Sequence, residues 1–377
     1  MTTLAHIATP AVVIDEPRMA RNIERMQARA SALGVRLRPH VKTSKCTAVA
    51  QRQLAAGALG ITVSTLKEAE QFFQAGFQDI LYAVSIAPHR AAQAVGLRRK
   101  GCELSVIVDS LEGATALAAA GAAAEQMPVL MEIDVDGHRG GILPESPLLV
   151  EIGRQLQRDG LHLEGVLSHA GSSYELNSAE ELERLAEQER QRTVAAAQVL
   201  RECGLPCTTV SVGSTPTALS ARHLEGVTEL RAGVYVFFDL VMAGVGICSL
   251  DDLALSVSTT VIGHQRERGW LLVDAGWMAM SRDRGTANQH IDHGYGLVCD
   301  AAGRLIDDLW LSSANQEHGI VSSRSGVDGD ALARAHPIGS RLRILPNHAC
   351  ATGAQHDHYE VARGDDVIAT WQRFGGW

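Results

Sequence analysis

Val35-Arg36-Leu37-Arg38-Pro39-His40-Val41-Lys42 is a run of alternating apolar and basic residues that ends in a lysine. A helical pattern precedes it. Asp15-Glu16-Pro17 makes a capping region with proline near the first turn, and Met19, Ile23, Met26, Ala30 and Leu33 recur at spacings of four and three. Gly34 then ends the helix, as a residue free to adopt positive φ does. A helix giving way at once to an extended run is the first beat of a strand–helix rhythm. On this reading 35–42 is a core strand, and Lys42 stands at its C-terminal tip.

Outward from that strand the rhythm continues. Core strands are expected at 35–42, 60–65, 80–85, 104–109, 129–135, 163–169, 208–213 and 229–238. Thr65-Leu66-Lys67-Glu68 is a capping box that opens a helix over 66–75. Short strands alternating with helices pair in parallel through right-handed crossovers, and eight such units close into a (β/α)8 TIM-like barrel, an α/β fold. A doubly wound open sheet is the alternative. No Gly-x-Gly-x-x-Gly follows the first strand, which argues against a dinucleotide site. Past about residue 246 the pattern becomes β-rich. Extended runs at 254–265 and 270–275 flank Arg266-Glu267-Arg268-Gly269, and 341–345, 359–362 and 367–373 look alike. All five tryptophans fall in this half, as β-rich segments favour. The expected organisation is a barrel over 11–247, then a mainly β C-terminal domain over 248–377 that also takes residues 1–10.

Bulk properties remove several function classes. The chain of 377 residues is 46% hydrophobic and 20% charged, with a formal net charge of −9. It has no basic stripe for nucleic acid, and no uninterrupted apolar stretch for a membrane. Residues 1–10 lack the pattern of a signal peptide. Seven cysteines are scattered at 46, 102, 203, 207, 248, 299 and 350, which suits reduced thiols and a cytoplasmic location.

Barrels of this kind place their chemistry at the C-terminal strand ends. Those ends carry His40 and Lys42, then Glu132 through Arg139, then Ser168-His169-Ala170-Gly171 with Tyr174. The last two carry Gly213-Ser214-Thr215-Pro216-Thr217 and Arg231-Ala232-Gly233-Val234-Tyr235. Cations, hydroxyls and glycine backbone suit a phosphorylated aromatic ligand. A partly desolvated amine at Lys42 can form a Schiff base with an aldehyde. Each residue also has an ordinary reading: a solvated lysine, a satisfied core histidine, common tight turns. Their shared placement favours the site. In the β-rich half, His348-x-Cys350 pairs an imidazole with a thiolate, two donors that zinc accepts and too few for a closed structural centre. His290-x-x-His293 and His356-x-His358 are rival pairs in polar stretches that read as solvated.

Taken in order, Pro39-His40-Val41-Lys42-Thr43, Arg139, His169-Ala170-Gly171, Gly213 to Thr217, Arg231-Ala232-Gly233, Asp274-Ala275-Gly276-Trp277, Gln316-Glu317-His318-Gly319 and Pro346 to Cys350 resemble one family. It is the fold-type III, alanine-racemase-like pyridoxal enzymes, in the metal-activated D-serine dehydratase and D-threonine aldolase group. The resemblance covers nearly the whole chain. It implies that an N-terminal strand near 12–14 joins the β domain and that the protein is a head-to-tail homodimer. It implies pyridoxal 5'-phosphate on Lys42, Arg139 facing the cofactor's phenolic oxygen and His169 stacked on its ring. Gly213, Ser214, Thr215, Gly233 and Val234 would cradle the phosphate, with Tyr174 and Tyr235 adjoining and Arg231 near the pyridine nitrogen. A divalent metal, zinc, manganese, cobalt or magnesium, would sit on His348 and Cys350. Racemases carry a second catalytic base, a tyrosine, where this chain has Trp277 and Met278, which makes racemisation doubtful. Related aldolases tend toward a carboxylate where Cys350 stands. Both points favour dehydration of a small D-3-hydroxy amino acid, a hydroxyaspartate or serine, over aldol cleavage, a cofactor carrier or a metal hydrolase. Lys45, Arg282 and Arg284 are candidates for holding a substrate β-carboxylate.

Overall fold

The structure, a computed structural model, describes residues 2–377. It falls into two compact units, the chain up to Ile23 with Val234–Gly375, and Glu24–Gly233 with Gly376–Trp377. The first strand, β1 (Ala11–Asp15), opens the former. The helix Glu16–Ala32 follows, with Met19, Ile23, Met26 and Ala30 buried and Gly34 at φ +71° just beyond its end.

The second unit holds eight parallel strands. These are β2 (Arg36–Leu37), β3 (Ile61–Val63), β4 (Asp79–Ser85), β5 (Glu103–Val108), β6 (Pro128–Ile133), β7 (His162–Ser168), β8 (Thr209–Val212) and β9 (Glu229–Leu230), ordered β2-β9-β8-β7-β6-β5-β4-β3. The two outer strands meet through a parallel bridge between His40 and Thr62. The Val41 N–H donates to the Thr62 carbonyl at 2.9 Å and the Thr62 N–H to the Pro39 carbonyl at 2.8 Å, which closes the ring. The (β/α)8 reading is therefore correct. Two of its strands are much shorter than expected. Beyond β2 the backbone still donates toward the β9 side, Arg38 N–H to the Leu230 carbonyl at 2.9 Å and His40 N–H to the Ala232 carbonyl at 2.8 Å, while Pro39 has no N–H to give the opposite edge. The segment expected as strand over 229–238 leaves the sheet after Leu230, and Val234–Val236 is a 3-10 turn. Its apolar run is fully buried, and such a run reads the same in a buried turn as in a strand.

One layer of the barrel interior is apolar, built from Leu81, Ile107, Leu130 and Leu167. Burying each contributes about 1.5–3 kcal/mol. The interior also holds charge. Arg38 pairs with Glu229 at 2.7 Å and with Asp79 at 2.6 Å, so each buried ion has a partner.

The other unit is antiparallel apart from one pair. Its strands after β1 are β10 (Leu255–Gln265), β11 (Trp270–Val273), β12 (Gly296–Asp300), β13 (Leu305–Ala314), β14 (Gly319–Ser323), β15 (Arg341–Pro346), β16 (His358–Arg363) and β17 (Asp366–Gln372). The order is β11-β14-β13-β12-β15-β10-β1-β16-β17, and β10 also pairs with β11, so six strands form a closed ring. Val257, Val273, Leu311, Val321 and Ile344 fill it. β1 runs antiparallel to β10 and parallel to β16. The expected boundary at 247–248 thus differs from the division seen here at 233–234, and residues 11–15, placed in the barrel by those bounds, pair in the β sheet, where the resemblance put a strand near 12–14. No helix among the described residues is long and apolar enough to cross a membrane.

Candidate active site

Lys42 lies on the turn that follows the His40 bridge, half-buried, with its N–H directed at His40 Nδ1 at 3.5 Å. Two imidazoles share its surroundings. His169, one residue past β7, bonds through Nδ1 to the Gly213 carbonyl at 3.0 Å. A carbonyl only accepts, so Nδ1 carries the hydrogen and Nε2 the lone pair. Burial and then the charge of Lys42 take the His169 pKa down to about 3, against the opposing Gly213 bond. Burial, then Lys42 and Arg231, hold His40 well below its ordinary value. Both rings are neutral. Arg231 is buried, donating from Nη1 to Ser211 Oγ at 2.7 Å and from Nη2 to the Ser168 carbonyl. The ends of the first, sixth and eighth barrel strands therefore share one electrostatic neighbourhood.

The turn after β8 is built for close approach. Gly213 has φ +132°, and a Cβ there would lie 2.1 Å from the Arg231 carbonyl oxygen. Ser214 caps the helix Thr215–Ser220, accepting the Thr217 N–H at 3.2 Å, and bonds Ser173 Oγ at 2.8 Å. Thr215 Oγ1 is buried and has no hydrogen-bond partner among the described residues. An orphaned buried hydroxyl is costly unless something outside the chain accepts its hydrogen. A Cβ at Gly233 would stand 2.9 Å from the His40 carbonyl oxygen, so only glycine lets those backbones meet. An anion with several acceptor oxygens suits this turn.

Other predicted residues are placed less tightly. The Arg139 side chain is 60% exposed and pairs with Glu132 at 3.1 Å. Tyr174 closes a 3-10 turn, its ring 6.3 Å from that of His169. Val234 and Tyr235 open the β-rich unit and are buried. Lys45 lies just before the helix Thr47–Ala55. It has φ +44° and pairs with Glu68 at 2.9 Å. Arg284 pairs with Asp292 at 2.8 Å, and the Arg282 guanidinium lies 5.2 Å from the Trp277 ring centroid.

In the β-rich unit His348 and Cys350 follow β15 directly. His348 Nδ1 bonds Asp283 Oδ2 at 2.7 Å, so a metal held by this ring would take Nε2. Burial works to lower the His348 pKa, but the Cys350 thiolate and the Asp283 hydrogen bond push it up to about 11. Asp283 is in turn held below the usual carboxylate range by that bond. Asp239 is buried, and its Oδ2 accepts the Ala349 N–H at 2.9 Å, gripping the peptide between the two donors. One imidazole nitrogen and one thiolate, with a carboxylate behind the imidazole, fit a divalent metal left open to other ligands. Among the described residues no group of three or more His, Cys, Asp or Glu gathers as a metal centre. The rival pairs are less solvated than expected: His293 is half-buried with a lowered pKa, and His356 Nε2 bonds the Ala279 carbonyl at 3.0 Å.

Glu189, Asp239 and Asp283 went unread in the sequence. Glu189 had a signal. The helix Ala179–Glu202 buries Leu182, Leu185, Ala186, Glu189, Thr193, Ala196, Ala197 and Leu200, so a carboxylate sits in the middle of an apolar stripe.

Residues 14–241 match the family described as alanine racemase, N-terminal domain, and residues 254–362 match the putative serine dehydratase domain. The chain belongs to the alanine-racemase-like, fold-type III enzymes, in the branch with a serine dehydratase domain. Over 377 residues it is 61% identical to D-threo-3-hydroxyaspartate dehydratase from Delftia sp. (strain HT23), covering 100% of this chain and 99% of that one. It is 31% identical to D-serine dehydratase from Dictyostelium discoideum (96% and 95% covered) and 30% identical to D-threonine aldolase from Arthrobacter sp. (98% and 93%). The solved Delftia sp. HT23 dehydratase superposes with a TM-score of 0.98 at 60% identity over 100% of both chains. The alanine racemase of Clostridium difficile 630, at TM-score 0.68, 13% identity and 96% and 98% coverage, shares the fold. These relatives with serine dehydratase likeness are named dehydratases and aldolases, and the chain is a lyase of that group acting on a D-amino acid.

Proposed function

We propose that this chain is a pyridoxal-phosphate- and divalent-metal-dependent dehydratase that eliminates water from D-threo-3-hydroxyaspartate, giving oxaloacetate and ammonia, with D-serine as a lesser substrate. The observation that carries it is Lys42 at a barrel strand end, in electrostatic reach of two imidazoles whose pKa values are lowered, one of which bonds the turn that holds an unanswered buried hydroxyl.

When bound, the cofactor supplies an aldehyde to the lysine amine and an electron sink for the substrate. Lys42 holds it and, once released, takes the proton from the substrate's Cα. His169, with a pKa near 3, is too weak a base to compete for that proton. Thr215 and Ser214 donate to the phosphate, and Arg139 and Arg231 add positive charge. His348 and Cys350 would hold the metal, which supplies Lewis acidity toward the β-hydroxyl. Among solved D-threo-3-hydroxyaspartate dehydratase structures are a histidine-to-alanine variant and a cysteine-to-alanine variant two positions further on, the latter described as metal-free. That spacing is the spacing of His348 and Cys350, which supports the pair as ligands here. Trp277 and Met278 occupy the stretch where racemases carry a tyrosine, so the base acts from one face and suits a single enantiomer.

The test is product analysis on D-threo-3-hydroxyaspartate, D-serine and D-threonine, each with and without added metal. Keto acid and ammonia in equal amounts support the reading, and glycine with an aldehyde replaces it with retro-aldol cleavage. A purified protein with no visible cofactor absorption overturns it. We further infer a homodimer, to be read by light scattering, and a reducing compartment, which seven cysteines outside any disulfide fit.

A further inference from the structure

We infer that Glu189 is a positioning residue for the cofactor phosphate, a role that rests on the proposed pyridoxal-phosphate function. Its carboxylate is buried, 1% exposed, and accepts four hydrogen bonds from two strand ends. Oε1 takes Ser168 Oγ at 3.2 Å, the Ala170 N–H at 3.1 Å and the Gly213 N–H at 3.0 Å. Oε2 takes Thr217 Oγ1 at 2.7 Å.

Each donor leads to a group assigned to the cofactor. Ser168 and Ala170 flank His169, and the Ser168 carbonyl receives Arg231. Gly213 supplies the carbonyl that fixes the His169 tautomer. Thr217 Oγ1 accepts the Ser214 N–H at 3.1 Å and meets Ser214 Oγ at 3.1 Å, so it sets the posture of the turn that carries Thr215. Because Glu189 uses up the Gly213 N–H, that amide is not a phosphate donor. Gly213 serves by its conformation, and the hydroxyls of the turn do the donating.

A residue that merely held the barrel together would lower affinity for any cofactor form equally. One that poises the phosphate turn should act on the phosphorylated form. The experiment compares binding of pyridoxal 5'-phosphate and of unphosphorylated pyridoxal to wild type, Glu189→Gln and Glu189→Ala, with thermal melting alongside. Glutamine keeps one oxygen for three of the donors but loses the charge and the Oε2 acceptor. We expect the preference for the phosphorylated form to fall roughly ten-fold in Glu189→Gln, about the worth of one charged hydrogen bond. Glu189→Ala should lose more if it folds, and the glutamine variant carries the test if it does not. An unchanged preference in Glu189→Gln, with both forms weakened alike or neither weakened, overturns the assignment. A wild type that binds neither form overturns the cofactor reading and this inference with it. A wild type that binds while the variant keeps its preference overturns this inference alone.

Discussion

A lysine becomes a nucleophile and a base by what surrounds it. Lys42 interacts electrostatically with two imidazoles whose pKa values are lowered, and among the described residues no carboxylate forms an ion pair with it. Lys45, three positions on, does have one in Glu68, 2.9 Å away, and is thereby a structural cation. The two substitutions should separate cleanly. Lys42→Ala is expected to leave no cofactor covalently attached after borohydride reduction, read by intact mass, and to lose activity by several orders of magnitude. Lys45→Ala should keep the attachment and lose stability instead. At the metal pair, Asp283 fixes the orientation and tautomer of His348 from 2.7 Å. Asp283→Asn should weaken metal binding roughly ten- to hundred-fold, measured against a chelator of known affinity, while cofactor binding stays as in wild type. Cys350→Ala should lose metal and turnover but retain bound cofactor. Full turnover of that variant after chelation would remove Cys350 from the site.

At the scale of elements, eight strand–helix units were legible because period-two and period-3.6 patterns alternate without interruption from Val35 to Leu230. The antiparallel ring was less so. β13 reads Leu-Ile-Asp-Asp-Leu-Trp-Leu-Ser-Ser-Ala, with only two of its ten residues fully buried, and its partner β14 is only five residues long. Such strands declare themselves by pairing, which no local window contains. The candidate site divides the same way. Lys42, His169 and Ser214 stand at strand ends that sequence could mark, whereas Glu189 reaches Ala170 from mid-helix; within the β-rich unit, Asp283 reaches His348 from a loop 65 residues before it. Glycines in the turns offer a test at this scale. Gly213 and Gly204 both have positive φ, at +132° and +73°, but a Cβ at Gly213 meets backbone at 2.1 Å while one at Gly204 meets nothing within 4 Å. Gly204→Ala should cost about 1–2 kcal/mol, the left-handed penalty alone. Gly213→Ala should cost well above that in urea unfolding, since the Arg231 carbonyl cannot move without opening the ring.

For the whole molecule, burial of uncharged imidazoles sets the response to acid. His169 is held near pKa 3 and His40 is lowered as well, whereas in the unfolded chain both titrate near the ordinary value of 6.5. Below 6.5 the unfolded state takes up protons that the folded state refuses, so stability falls as pH drops through the window from 6.5 toward 3. Each such histidine contributes a slope of up to about 1.4 kcal/mol per pH unit. Buried carboxyls act in both directions. Glu229, lowered by Arg38 against the cost of burial, adds to the loss at the acid end. Glu189 and Asp239, raised by burial, protonate more readily when folded and offset part of it. The cofactor-free protein should therefore show a urea midpoint that declines between pH 6.5 and 5, before ordinary carboxylates begin to titrate. His293, His336 and His356 are lowered by burial too, so His169→Gln removes one contributor among several and should make that decline shallower while keeping a group able to bond the Gly213 carbonyl. A midpoint that stays flat over this range in wild type, or falls equally in the variant, would mean that the rings are charged in the folded barrel, and Lys42 would then have two cationic neighbours rather than two neutral ones.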